Sequence, residues 1–169
     1  MLEFTGRTLE EQVVSLLKEK GFVLTTAESC TAGLLAGRIM NVAGASAVYN
    51  EGYITYSTEA KKRILGVKHE IIEEYGVISP QTACEMAEGA ARKAGTRAAL
   101  SVTGIAGPDG GTKEQPVGLV YIGLFLQGKL CARICAKEFR FYGDRMENRE
   151  SAVEEALKFL VQNLHTIRI

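Results

Sequence analysis

The sequence predicts an α/β fold: a three-layer α/β/α sandwich in which a mixed central β-sheet lies between layers of helices. Three observations lead there. Over residues 8–103 short β-prone runs alternate with helical patterns, as expected of strands joined by helical crossovers. Around Gln127-Gly128-Lys129 two longer apolar runs flank a turn signal, so part of the sheet should be antiparallel. The 169 residues, 46% of them apolar, suffice for one full core and are too few for two, which makes residues 1–169 a single expected domain.

Each element has a local cause. Thr8 and Glu11 form a capping-box pattern; Leu9, Val13, Leu16 and Leu17 then repeat at helical spacing until Gly21, which predicts a helix over 8–20. Phe22 to Thr26 reads as a short strand, Ala27 to Gly33 as a loop and Leu34 to Met40 as a helix. Val48 to Tyr56 suits a strand or a bent pair of strands, and Thr58 to Ile64 and Lys68 to Tyr75 suit short helices. Ser79-Pro80 is an N-cap followed by proline at the first helical position; the helix runs to Gly95, with Ala83, Ala87, Ala90 and Ala94 along a face that can approach a sheet closely. Ala98 to Thr103 reads as a buried strand. The twelve residues from Gly104 to Gln115 hold four glycines and a proline, too many for a regular element. Val117 to Leu126 and Leu130 to Phe139 are the hairpin strands, and Asp144 with Glu147 opens a last helix whose stripe includes Val153, Leu157, Leu160 and Leu164.

Composition excludes several roles. Twenty basic and twenty acidic residues cancel, so no long-range field gathers nucleic acid or an anionic membrane. The segment Met1 to Arg7 lacks a signal-peptide layout and no run approaches a membrane span, which predicts a cytoplasmic protein. The four cysteines form no CxxC pair and the two histidines lie apart from them, so no metal site is expected and the thiols should be reduced.

The loops Ala27 to Gly33 and Gly104 to Gln115 follow strands, where open α/β sheets place ligands. Ser29, just before a helix, is placed to be a nucleophile, although the same position suits an ordinary N-cap. Cys30 is a rival nucleophile or a packed core thiol. Neither His69 nor His165 has a context suited to a Ser-His-Asp triad, which leaves a lysine of lowered pKa as the base. Ser15 and Lys18 match an SxxK spacing in mid-helix, a coincidence. Tyr56, ending a strand, and Lys61, on the first turn of the next helix, can converge on one point. The glycine loop can present N–H groups to a phosphate or carboxylate, and Arg145 could add a forked guanidinium.

Several segments occur in order: Thr25-Thr26-Ala27-Glu28-Ser29-Cys30-Thr31-Ala32-Gly33, Tyr56 to Lys61, Leu65-Gly66-Val67, Val102 to Gly111, Pro116-Val117-Gly118 and Gly143-Asp144-Arg145. Together they resemble the CinA C-terminal domain family over residues 8–164. The resemblance implies a nicotinamide-nucleotide amidase that converts nicotinamide mononucleotide to nicotinate mononucleotide and ammonia, without metal or other cofactor. It implies Ser29 as nucleophile, Lys61 as general base and Tyr56 as a partner that orients Lys61 or relays its proton. Glu28, Cys30, Thr31, Thr103, Gly104, Gly107, Gly110 and Arg145 would line the nucleotide pocket, and a homo-oligomer, a dimer first, is expected. Two positions depart from the family pattern: Ala32 replaces a glycine and Thr58 an asparagine. If position 32 needs φ > 0, alanine is strained there by roughly 1 kcal/mol. These departures motivate the alternative of a catalytically idle nucleotide-binding or partner-binding domain. Activities of the N-terminal domain of larger relatives are not implied.

Overall fold

The computed structural model describes residues 7–168; Met1 to Gly6, most of the segment that lacks a signal-peptide layout, lie outside the described residues, as does Ile169. The chain runs α1 (Leu9–Lys20), β1 (Leu24–Glu28), α2 (Leu34–Met40), a 3₁₀ turn (Ala45–Ala47) and β2 (Tyr49–Ile54). It continues through α3 (Thr58–Ala60), a π-turn (Lys61–Leu65), α4 (His69–Tyr75), α5 (Pro80–Ala94), β3 (Ala98–Gly104), β4 (Leu119–Gln127), β5 (Ala132–Arg140) and α6 (Arg145–Thr166). The five strands form one sheet in the order β2-β1-β3-β4-β5. The first three are parallel, and β3-β4-β5 are antiparallel, so the sheet is mixed as expected.

The strand period of two divides the core between the faces. Leu24, Leu100, Val102, Ile122 and Leu124 point to one side and pack with Val13, Leu17, Leu35, Val153, Leu157 and Leu160 of α1, α2 and α6. Ala27 and Ala99 point to the other and pack with Met86, Ala87 and Ala90 of α5. The small face of α5 lets it sit close: Ser101 Oγ donates to Ala83 O at 2.6 Å, and a Cβ added to Gly123 would lie 2.2 Å from that same carbonyl. The caps are those the sequence announces. Thr8 and Asp144 each close a capping box, and Ser79 with Pro80 opens α5.

Three boundaries differ from expectation, each because sheet pairing overrides local propensity. β1 is two residues further along than Phe22 to Thr26 suggests, since Ala27 and Glu28 pair with Ser101 and Val102 on one side and with Tyr53 and Ile54 on the other. Phe22 instead fills the core. Val48 to Tyr56 yields one strand of six residues rather than a bent pair. The hairpin strands start two residues and end one residue later than expected, and Gly128 N–H bonds Cys131 O across a four-residue turn.

Candidate active site

Parallel order places the carboxyl ends of β2, β1 and β3 side by side, and with them the three segments that carry the chemistry. Ser29 follows β1 directly; its N–H donates to Val102 O at 2.9 Å, extending the pairing with β3 by one residue. On the other flank Thr55 N–H donates to Glu28 O at 2.8 Å. The chain then passes Ser57, whose Oγ caps α3, and enters the π-turn. Such widened turns recur at functional sites because they re-aim one side chain. Here that side chain is Lys61.

Lys61 is 2% exposed. Its Nζ lies 2.9 Å from Ser29 Oγ, 2.8 Å from Thr55 O and 3.2 Å from Tyr56 O. Among the described residues no carboxylate contacts it, and burial lowers its pKa to about 8. The three contacts define what a neutral amine does there. An –NH₂ group has two N–H donors and one lone pair; two backbone carbonyls, which only accept, take the donors, and the lone pair is left facing the Ser29 hydroxyl. The amine is thereby aimed to take the serine proton. Cys30, buried beside them, has its thiol pushed up to about 11 by burial, which keeps it protonated and a poor nucleophile.

The cleft in front of Ser29 has a volume of about 270 Å³, at the small end for a ligand site. Of the expected residues, Ser29, Cys30, Tyr56, Lys61, Thr103 and Arg145 line it, as do Gly104, Gly107 and Gly110. Thr103 Oγ1 donates to Val77 O at 2.8 Å, which draws Val77 and Ile78 into the wall opposite. Arg145 lines the cleft while donating from Nη1 to Gly107 O at 2.6 Å, so one arm of the guanidinium braces the glycine loop.

Three expected residues sit differently. Tyr56 reaches Lys61 through its main-chain carbonyl; its side chain is 62% exposed and no described group bonds the phenol, which is therefore placed at the cleft mouth and not on the lysine. Glu28 does not line the cleft. It is 1% exposed and accepts from the N–H groups of Gly33, Leu35 and Ala36 at 2.9, 3.1 and 2.9 Å, capping α2 from below. Thr31 does not line the cleft: it is fully buried, with its hydroxyl lacking a partner. Among the described residues no carbonyl accepts from the N–H groups of Cys30, Thr31 or Ala32, which leaves a row of amides beside the nucleophile. Ala32 has φ 49°, the left-handed conformation that favours glycine, and Gly33 follows with φ 96°.

The first turns of α6 contribute two residues that motif reading missed. Asn148, buried, donates to Ala106 O and Gly143 O at 3.0 Å each. Arg149 donates from Nε to Cys30 O at 2.9 Å and from Nη2 to Thr31 O at 3.0 Å. The signal that could have found them is helical spacing: residues three and four beyond Arg145 share its face. Among the described residues no three His, Cys, Asp or Glu side chains cluster as a metal site, and no described helix is long and apolar enough to cross a membrane.

The fold and site define a class: an α/β/α sandwich with a buried serine–lysine pair at the carboxyl ends of its parallel strands. The chain matches the family model of the CinA C-terminal domain over residues 6–164, and it belongs to that family. A CinA-like protein of Kosmotoga olearia is 52% identical over 153 residues, which cover 90% of this chain and 36% of that protein. The chain thus spans little more than a third of such curated relatives, 36% to 38% of their length. Among solved structures, competence damage-inducible protein A from Klebsiella pneumoniae superposes with a TM-score of 0.87 at 35% identity, covering 94% of this chain and 96% of that one. The competence/damage inducible protein CihA from Agrobacterium tumefaciens gives 0.84 at 39% identity, with the same coverage of 94% and 96%.

Proposed function

We propose that this chain is an amidohydrolase that converts nicotinamide mononucleotide to nicotinate mononucleotide and ammonia in pyridine-nucleotide salvage, with Ser29 as nucleophile and Lys61 as general base. The observation that carries the reading is the 2.9 Å contact between a buried, carboxylate-free lysine and the serine hydroxyl, with both other lysine contacts made to carbonyls. The choice of substrate rests on the family resemblance of the motifs.

In the proposed reaction Ser29 Oγ attacks the carboxamide carbon as its proton passes to Lys61 Nζ. The carbonyl oxygen becomes an oxyanion, which backbone N–H groups beside Ser29, near Cys30 and Thr31, would hold. Lys61 returns the proton to the departing nitrogen, ammonia leaves and an acyl-serine remains. Water attacks that ester, Lys61 takes a water proton, and transfer of the proton to Ser29 Oγ releases the carboxylate. The cationic pyridinium ring makes the amide carbon more electrophilic. Tyr56 contributes its carbonyl, which aligns Lys61, and Arg145, Thr103 and the glycine loop bound the nucleotide. A homo-oligomer, a dimer first, is part of the proposal on the resemblance, and a cytoplasmic location on the sequence pattern; sedimentation of the purified protein reads the oligomeric part.

The test is ammonia release from nicotinamide mononucleotide by purified protein. Wild type and Cys30→Ala should turn over, and Ser29→Ala and Lys61→Ala should not; turnover surviving both of the latter rejects the dyad. The strained conformation at Ala32 favours the second reading, an idle nucleotide-binding domain. Nucleotide binding without turnover in the wild-type protein would establish it.

A further inference from the structure

Three charged residues line the cleft in front of Ser29: Lys61, Asp109 and Arg145. Two of them are engaged. Lys61 is held by Ser29, Thr55 and Tyr56, and Arg145 braces Gly107 O. Asp109 is exposed, and among the described residues its carboxylate joins no hydrogen bond and no ion pair, with Arg145 or with any other cation. Aspartate ahead of glycine in a turn commonly accepts from a backbone N–H two residues on. Here the loop is secured without it: Asn148 holds Ala106 O, Arg145 holds Gly107 O, Gln115 N–H bonds Thr112 Oγ1 and Gln115 Nε2 reaches Ile78 O. The carboxylate is therefore not spent on shaping the turn.

Asp109 is the one carboxylate of the lining, and the cleft is small, about 270 Å³. Its breadth is comparable to the screening length of physiological salt, about 8 Å. A ring whose carboxamide carbon reaches Ser29 Oγ thus lies within charge–charge range of Asp109. In nicotinamide mononucleotide that ring is a pyridinium, so the head group entering the cleft carries one positive charge. After hydrolysis the carboxamide has become a carboxylate, and the same head group carries no net charge. A fixed anion in the wall therefore favours substrate and loses that hold on product. Free nicotinamide, uncharged at its ring, gains nothing from it.

We propose that Asp109 is a specificity-determining residue: its carboxylate is the counter-charge for a cationic, N-substituted pyridine carboxamide, and it selects such substrates over neutral amides and over the acid that the reaction makes. This rests on the amidase reading for its natural ligand. The ring is cationic in the bound substrate and in the transition state alike, so the attraction is uniform binding, which acts on KM and leaves kcat in place. A role in loop structure alone would weaken substrate and product together.

The experiment measures binding by titration calorimetry on Ser29→Ala, which holds the substrate unreacted, with and without Asp109→Asn. Nicotinamide mononucleotide should bind about tenfold more weakly to the doubly substituted chain, and nicotinate mononucleotide should stay within about threefold. Asp109→Glu, which keeps the charge, should restore most of the substrate affinity. The loss should shrink in about 0.5 M salt, because the attraction is screened. With Ser29 intact, Asp109→Asn should raise KM about tenfold and hold kcat within about threefold. A substrate loss under about threefold, an equal loss for the two nucleotides, or a loss untouched by salt overturns the inference. If nicotinamide mononucleotide binds through Asp109 but wild type leaves it intact, the amidase reading fails and the inference stands. If wild type turns it over and Asp109→Asn changes nothing, the inference fails and the amidase reading stands. If neither nucleotide binds, both fall.

Discussion

Replacing Lys61 with methionine should change the pH dependence of folding stability by an amount the structure supplies. Burial lowers the pKa of Lys61 to about 8 in the folded chain, against 10.5 for an unperturbed lysine. Between those values the unfolded chain holds a proton that the folded chain has released, so wild-type stability rises with pH across that window. At 1.36 kcal/mol per pH unit the rise totals about 3 kcal/mol. Below pH 8 both states are protonated and the wild type carries the whole penalty of a buried ammonium; above 10.5 both are neutral and the penalty is gone. Lys61→Met has no such proton. Its stability relative to wild type should therefore be greatest below about pH 8 and fall by about 2 kcal/mol by about pH 9.5. Loss of the bonds to Thr55 O and Tyr56 O shifts the offset between the two proteins but not this slope, since a neutral amine keeps both. Urea unfolding of both proteins, followed by circular dichroism at about pH 7.5, 8.5 and 9.5, gives the difference directly. A difference constant to within about 0.5 kcal/mol would show that Lys61 titrates as an ordinary exposed lysine and would refute its role as base.

The same proton governs rate: the neutral amine is about a tenth of the total at pH 7, so amide turnover should climb about tenfold per pH unit below 8 and level off above it, and a rising limb centred below about 7 would contradict the assignment. Glu28→Gln should destabilise the chain by about 2–4 kcal/mol, because either amide orientation sets an N–H₂ against a backbone donor of α2 where a carboxylate oxygen now accepts; a thermal midpoint equal to wild type would show that the α2 cap is dispensable. Ala32→Gly should stabilise by up to about 1 kcal/mol, since relief of the left-handed alanine outweighs the greater freedom of glycine in the unfolded chain, and a fall in stability would show that the φ of 49° carries no strain.

Much of this architecture was legible because its causes are local. The capping boxes at Thr8 and Asp144 and the Ser79-Pro80 start of α5 need only a few neighbouring residues to act, and the structure has all three. The extension of β1 through Ala27 and Glu28 was not legible, because those residues become strand only when β2 and β3 supply partners on both sides. Glu28 shows the same limit at the site. A carboxylate next to a nucleophile reads as a substrate contact, whereas its burial under α2 turns it into a cap. Tyr56 looked like a phenol for Lys61, yet strand geometry sends its carbonyl to the amine and its ring to the cleft mouth.

By itself the sequence determined the layer order, the caps, the nucleophile loop and the glycine loop, since hydrophobic period and turn chemistry are properties of a short stretch of chain. It also determined that position 32 would be strained if its φ were positive, as it is. Only the tertiary structure decided that a lysine thirty-two residues from Ser29 sits buried against it, aimed by two carbonyls, and that Arg149 reaches back 119 residues to hold the Cys30 carbonyl. Those relations come from parallel strand order and from α6 packing beside α2, and no residue near Ser29 in the chain carries a trace of them. Burial does the rest, because the low proton affinity of Lys61 is a property of the space it occupies and not of the residues beside it in sequence.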